Sequence, residues 1–228
     1  MDIRQKFIRE TEPYFATDQV KLGPWESAIF MHDAKHLLFT LSRYKFVAKM
    51  LEGREGVMEI GCGDALGASI VAQAVGKLYA VDWENRLIKD NAERLSFVKN
   101  ISYMYHDINT APVNVQENNL DIDAIYNIDF IEHIDPLNED AVMLNMINAY
   151  KSKENAIMII GTPNISASQY ASSANKVLHV NLKSFDTLKA LLTKYFYNVL
   201  MFGMNDEVVH TGYAPMCHYI WGIGIGLR

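Results

Sequence analysis

Residues 57–67, with the sequence VMEIGCGDALG, place two carboxylates around a glycine-rich turn. Glu59 and Asp64 stand on either side of Gly61 and Gly63. Glycines let a backbone approach a ligand closely, and the helix expected next would direct its N-terminus at that ligand. Carboxylates at such a turn repel a pyrophosphate. The stretch therefore favours a ligand that has an ammonium group and no phosphate.

The spacing of the glycines argues against two other ligands. Gly61, Gly63 and Gly67 give G-x-G-x-x-x-G, whereas dinucleotide-binding loops have G-x-G-x-x-G. The absence of a G-K-[ST] ending excludes a triphosphate P-loop. A glycine loop alone is a weak signal, because a tight turn between a strand and a helix has the same composition.

Two further acids strengthen the signal. Asp82 ends the apolar run KLYAVD about 20 residues after the loop, where a carboxylate can bind both hydroxyls of a ribose. Asp107 ends the next run, where it could accept a hydrogen bond from an adenine amino group while the Ile108 amide faces a ring nitrogen. Acids at the ends of three successive runs predict a nucleoside site.

Alternating apolar runs and helical patterns would position these residues. The sequence predicts strands at 56–60, 77–81, 101–105, 122–128 and 156–161 and helices at 34–51, 65–75, 85–97 and 137–150. Such alternation is typical of a parallel sheet covered by helices on both faces. Its strands end at one edge, where ligands bind.

The pattern changes after Gly161. Residues 162–174 are rich in Ser, Ala and Asn and predict a loop or short lid. A helix is expected over 184–195, and the final strands, 197–203 and 218–226, have no helix between them and should pair antiparallel.

Composition limits the class of protein. The 228 residues fit one domain, and the net charge of −6 argues against a nucleic-acid partner. Cys62 and Cys217 are too few for a disulfide framework and suit a reducing cytoplasm. The sequence shows no signal-peptide pattern and no apolar run of the roughly 20 residues that span a bilayer. We expect a cytoplasmic protein without stable membrane insertion.

The segments MEIGCGDALG, YAVDWE, YHDI, DAIYNIDFIEHI and IMIIGTPN together resemble the class I S-adenosylmethionine-dependent methyltransferases over about residues 56–203. The likeness is greatest to small-molecule O-methyltransferases of quinone biosynthesis, which have EHI and TPN at these positions. It implies an α/β, Rossmann-like, doubly wound sheet of seven strands with an antiparallel last strand. It also implies a helical N-terminal cover (1–53) and a cofactor domain (54–228) that form one structural unit.

The resemblance assigns S-adenosylmethionine as the cofactor. The residues implied to contact it are Glu59, Gly61, Gly63, Asp64, Asp82, Trp83, Asp107, Ile108 and Asn127.

Methyl transfer to a hydroxyl needs alignment of the acceptor, exclusion of water and removal of a proton. His133 is the expected base, because imidazole is the side chain that most often serves as a general base. His179 is the second candidate, and Asp129 is expected beside the methionine part of the cofactor. Asp129, Glu132 and His133 could also form a carboxylate–imidazole site, but no second cluster completes it, so no metal is predicted.

The methyl acceptor is the part of the predicted function that the sequence determines least. Trp25, His32, Arg43 and Tyr170 are the expected substrate-binding residues, and two of them are basic. They favour a small anionic acceptor such as a nucleotide-linked sugar or a surface-glycan precursor. A quinone-like phenol and a non-catalytic cofactor-binding sensor or partner subunit are the alternatives. The loop spacing disfavours a nicotinamide-dependent oxidoreductase.

Overall fold

One mixed sheet organises the protein, whose computed structural model describes residues 2–228. Within these residues the chain forms eight strands: β1 (Gly56–Ile60), β2 (Lys77–Asp82), β3 (Ile101–Tyr105), β4 (Ala124–Ile128), β5 (Ile157–Pro163), β6 (Phe196–Asn205), β7 (Val208–His210) and β8 (Tyr219–Leu227). The same residues form eight α-helices: α1 (Ile3–Phe15), α2 (Pro24–His32), α3 (His36–Met50), α4 (Ala68–Ala72), α5 (Asn85–Arg94), α6 (Glu139–Ile147), α7 (Ser173–Leu178) and α8 (Phe185–Tyr195).

The strand order is β3-β2-β1-β4-β5-β8-β6-β7. Strands β1 to β5 pair in parallel, and β8 is antiparallel to both β5 and β6. The predicted Rossmann-like α/β fold and its antiparallel last strand are therefore confirmed.

The sheet has eight strands where seven were predicted. The additional strand, β7, pairs antiparallel with the end of β6 through a short turn in which Asp206 has a φ of 50°. Three residues are too few to show the alternating pattern by which a strand is recognised in a sequence.

The central strands are buried on both faces, which explains why most of their residues are apolar on both sides. Every residue of β1 and β4 is buried. Helices α3 and α4 pack on one face, where Tyr44 and Trp221 lie, and helices α6 and α8 cover the other face. Gly67, before α4, lies against Tyr44, since an added Cβ would be 2.0 Å from its ring.

The helix predicted over 65–75 is shorter in the structure. Ala65 has a φ of 51° and its amide donates to the carbonyl of Cys62, so the turn continues to Gly67 before α4 begins. The predicted loop at 162–174 contains a 3₁₀ helix, Ile165–Tyr170, followed by α7. No helix among the described residues is both long and apolar enough to cross a membrane.

Candidate functional site

A cleft of about 760 Å³ opens where β1, β4 and β5 end. Its walls are the glycine loop, the start of the segment after β4, the N-terminal helices α2 and α3, and residues between 163 and 182. This is the edge at which open parallel sheets bind ligands. The cleft contains nine of the predicted site residues: Trp25, Arg43, Gly61, Gly63, Asp64, Asp129, His133, Tyr170 and His179.

The glycine loop needs its glycines. Gly61 and Gly63 have φ values of 76° and 50°, and a Cβ on Gly61 would lie 2.7 Å from the ring of Phe130. The amide of Gly63 donates to Asp82 Oδ2 at 2.9 Å, and Asp82 Oδ1 accepts from the amide of Glu84 at 2.8 Å. Asp82 thus ties the end of β2 to the loop that follows β1.

Two acids with free oxygens lie beside the loop. Asp64 Oδ2 accepts from the amide of Glu26 at 2.7 Å, while Asp64 Oδ1 is buried and has no hydrogen-bond partner among the described residues. Glu26 Oε2 is also buried and has no hydrogen-bond partner among the described residues. Burial raises the pKa of both carboxyls, and the neighbouring acids Asp64 and Asp129 raise that of Glu26 further. A ligand ammonium group would satisfy these oxygens.

Arg43 and Asp129 form an ion pair within the cleft. Arg43 Nη1 lies 2.5 Å from Asp129 Oδ2, and its guanidinium stacks 4.0 Å above the ring centre of Tyr219. Asp129 follows β4 with a φ of 52°, and its Oδ1 is buried without a partner among the described residues. The charge of Arg43 is therefore already neutralised.

Glu132, His133 and His179 converge at another part of the cleft, and one potential ligand atom from each lies within 4.8 Å of the others. The imidazole rings of His133 and His179 are 5.0 Å apart between centroids. Glu132 is 0% exposed, and its Oε2 accepts from Thr162 Oγ1 at 2.9 Å. Burial, and then Asp129, raise the pKa of Glu132 to about 8. Burial and His133 lower the pKa of His179.

Solved methyltransferase structures resemble this chain. The methyltransferase domain of bacterial CtHen1 is 18% identical with a TM-score of 0.63 over 82% of this chain and 99% of that one. The N-methyltransferase NodS from Bradyrhizobium japonicum WM9, in complex with S-adenosylhomocysteine, is 14% identical with a TM-score of 0.56 over 86% and 87%. CcbJ from Streptomyces caelestis is 9% identical with a TM-score of 0.62 over 82% and 94%.

This chain has the class I methyltransferase fold. At these identities the likeness concerns the fold. No family model and no curated protein sequence matches the chain.

Four predicted cofactor residues lie at or just after the carboxyl ends of β2 and β3, outside the lining of the cleft. Asp82 ends β2, and the exposed Trp83 comes directly after it. Asp107 and Ile108 follow β3, where Asp107 Oδ1 accepts from the amide of Asn109 at 2.9 Å and the Ile108 side chain is buried. They lie at the same edge of the sheet as the cleft, which is where the fold brings all parallel strand ends together.

Three predicted site residues lie away from the cleft. Glu59 is buried beneath the glycine loop, on the face that Tyr44 and Tyr126 occupy. Asn127 points to the other face, where its Nδ2 is 3.8 Å from Met146 Sδ on α6. The predicted direct contacts of these two side chains with a ligand therefore do not fit the geometry, because strand residues alternate between faces and these two point into the core.

His32 is the third of these residues. It is exposed at the end of α2 and does not line the cleft, whereas His36, at the start of α3, does. Glu26 and His218 also line the cleft, and the sequence did not predict that either of them binds a ligand. Glu26 and His36 belong to the N-terminal helices, and no spacing in the sequence shows which of their faces meets the cleft.

Proposed function

We propose that this protein is an S-adenosylmethionine-dependent methyltransferase that acts on a hydroxyl group of a small acceptor. The observation that carries the proposal is the glycine loop, held open by positive φ values and tied by the Gly63 amide to Asp82 beside an acidic cleft. The structural neighbour NodS, which was solved with S-adenosylhomocysteine, supports it.

The residues present fit this cofactor. The buried, unpartnered oxygens of Glu26 and Asp64 would hold an ammonium group, and the loop backbone would lie against the methionine part. Asp82 would bind the ribose, and Asp107 with the Ile108 amide the adenine. When bound, the cofactor supplies a methyl group that its sulfonium has already activated.

The cluster of Glu132, His133 and His179 would act on the acceptor oxygen. It lies in the same cleft as the glycine loop, and a hydroxyl placed there can lose its proton with help from these side chains. The protein must also align the acceptor and exclude water. Aromatic side chains that line the cleft, such as Trp25 and Tyr170, would contribute to both.

The charge of the cleft bears on the type of acceptor. Among the described residues that line the cleft, Arg43 is the one Lys or Arg, and it forms an ion pair with Asp129. This favours an uncharged hydroxyl-bearing group, as found in sugars and phenols, over recognition of an anionic group by Arg43. Nucleotide-linked sugars, glycan precursors and quinone-like phenols all present such a hydroxyl and form the acceptor set to screen.

Calorimetric titration tests the cofactor. The protein should bind S-adenosylmethionine and S-adenosylhomocysteine but not NAD. Asp82→Ala should weaken binding at least about 10-fold, because it removes a charged hydrogen-bond acceptor from the ribose and from the Gly63 amide.

A matched control is Asp121→Asn, since Asp121 is an exposed residue paired with Lys151 away from the cleft. It should leave the affinity unchanged. A folded protein that binds neither nucleoside would rule out the proposed function.

A further inference from the structure

We propose that Glu132, His133 and His179 bind a divalent first-row transition-metal cation. Binding of the cation follows from the side chains alone, while its role in catalysis rests on the proposed function. The sequence argued against a metal because residues 129–133 supplied too few ligands by themselves. The structure brings His179 to them from the end of α7.

The spacing of the three ligand atoms fits one shared cation. Nitrogen and oxygen ligands lie about 2.0–2.2 Å from such an ion, so two ligands on one cation are up to about 4.4 Å apart. The three atoms here lie within 4.8 Å of one another before any adjustment. An approach of at most about 0.4 Å would bring these separations within that limit.

A buried oxygen independently points to a ligand. Glu132 is fully buried, and its Oε1 has no hydrogen-bond partner among the described residues. Buried carboxylate oxygens are normally paired, since leaving one without a partner is energetically costly. A cation between Glu132 and the two imidazoles would supply that partner.

Neighbouring groups already orient two of the ligands. Thr162 Oγ1 donates to Glu132 Oε2, which leaves Oε1 available to a cation. His133 Nδ1 lies 3.2 Å from the carbonyl oxygen of Leu178. A carbonyl accepts only from a protonated nitrogen, so this contact leaves the lone pair on Nε2. Such supporting contacts are typical of metal ligands.

The ligand types determine the class of cation. Two imidazoles and one carboxylate suit Mn²⁺, Fe²⁺, Co²⁺ or Zn²⁺ better than Mg²⁺ or Ca²⁺, which prefer oxygen ligands. The cleft is open beside the cluster, because His133 is exposed. Coordination positions therefore remain for water and for an acceptor hydroxyl.

The cation would replace direct proton transfer to His133. Coordination lowers the pKa of a hydroxyl, so the acceptor O–H bond breaks and its proton passes to water. The oxygen then forms the new O–CH₃ bond as the S–CH₃ bond breaks, and the sulfur keeps that bond's electron pair. The imidazoles hold the cation throughout and are not protonated.

Electron paramagnetic resonance of Mn²⁺ tests the site in the full chain after treatment with a chelator. We expect about one bound Mn²⁺ per chain. His179→Ala and Glu132→Gln should each weaken binding at least about 10-fold. His218→Ala is the matched control, because His218 lines the same cleft outside the cluster, and it should bind as the wild type does.

Thermal unfolding establishes that each variant is folded. The proposal is overturned if the folded protein binds neither Mn²⁺ nor Zn²⁺, the latter measured by calorimetry. It is also overturned if His179→Ala binds Mn²⁺ as tightly as His218→Ala does. Titration with S-adenosylmethionine in the presence of the chelator separates the two proposals. A protein that binds Mn²⁺ but not S-adenosylmethionine would refute the methyltransferase function alone. A protein that binds S-adenosylmethionine but no metal would refute the metal site alone.

Discussion

Methyl transfer by the His133→Ala variant is expected to be about 100-fold to 10⁴-fold slower than that of the wild type, with affinity for S-adenosylmethionine within a few-fold. The imidazole faces His179 in the cleft, and its side chain is exposed, so its removal leaves the core intact. It also lies outside the glycine loop. The effect should therefore fall on turnover.

Formation of S-adenosylhomocysteine with an acceptor from the screen measures the turnover, and calorimetry measures the affinity. His32→Ala, at an exposed position that does not line the cleft, should retain near wild-type turnover. A parallel loss of cofactor affinity would show instead that His133 supports the cofactor pocket. Cofactor binding without methyl transfer to any acceptor would favour a sensor or partner subunit.

Compared with the wild type, Glu59→Gln should be more stable at pH 8 than it is at pH 5. Glu59 is 1% exposed, and burial raises its pKa from 4.5 to about 8, although Tyr44 and Tyr126 lower it. A carboxyl whose pKa is higher in the folded state holds its proton there while the unfolded chain has lost it. The free energy of unfolding must then fall as pH rises from about 4.5 to 8.

The contribution of Glu59 to this fall is at most about 5 kcal/mol, and a neutral amide at the same position removes it. Urea unfolding at pH 5, 6.5 and 8 gives the free energy of unfolding of the variant and of the wild type. The difference between the two isolates Glu59, because the contributions of other titrating groups such as Glu132 cancel. Glu117→Gln, at an exposed position, is the control and should keep the wild-type slope. An unchanged slope in Glu59→Gln would contradict the prediction.

The sequence predicts the central sheet well because its strands are buried on both faces. Strands β1 and β4 are apolar except for Glu59 and Asn127, and the absence of a helix between the last two predicted strands indicates their antiparallel pairing. The limits of α4 were less predictable, because Ala65 adopts a positive φ that its residue type does not indicate.

Within the site, the sequence identifies acids and histidines by their place at strand ends, as with Asp129 and His133. It does not tell which way a side chain points when both faces of a strand are buried. Glu59 therefore looks like a ligand-binding residue until Tyr44 and Tyr126 are seen around it. The meeting of His133 with His179 depends on the path of the chain after β5, which local patterns do not determine.

The hydrogen bond from the Glu26 amide to Asp64 ties α2 to the glycine loop through one carboxylate. Its other oxygen is the one that a ligand would use. A ligand whose affinity depends on this hydrogen bond must, by thermodynamic reciprocity, change the stability of the docking of α2 on the loop by the same factor. Binding of a ligand at Asp64 and docking of α2 on the glycine loop would then be one coupled equilibrium.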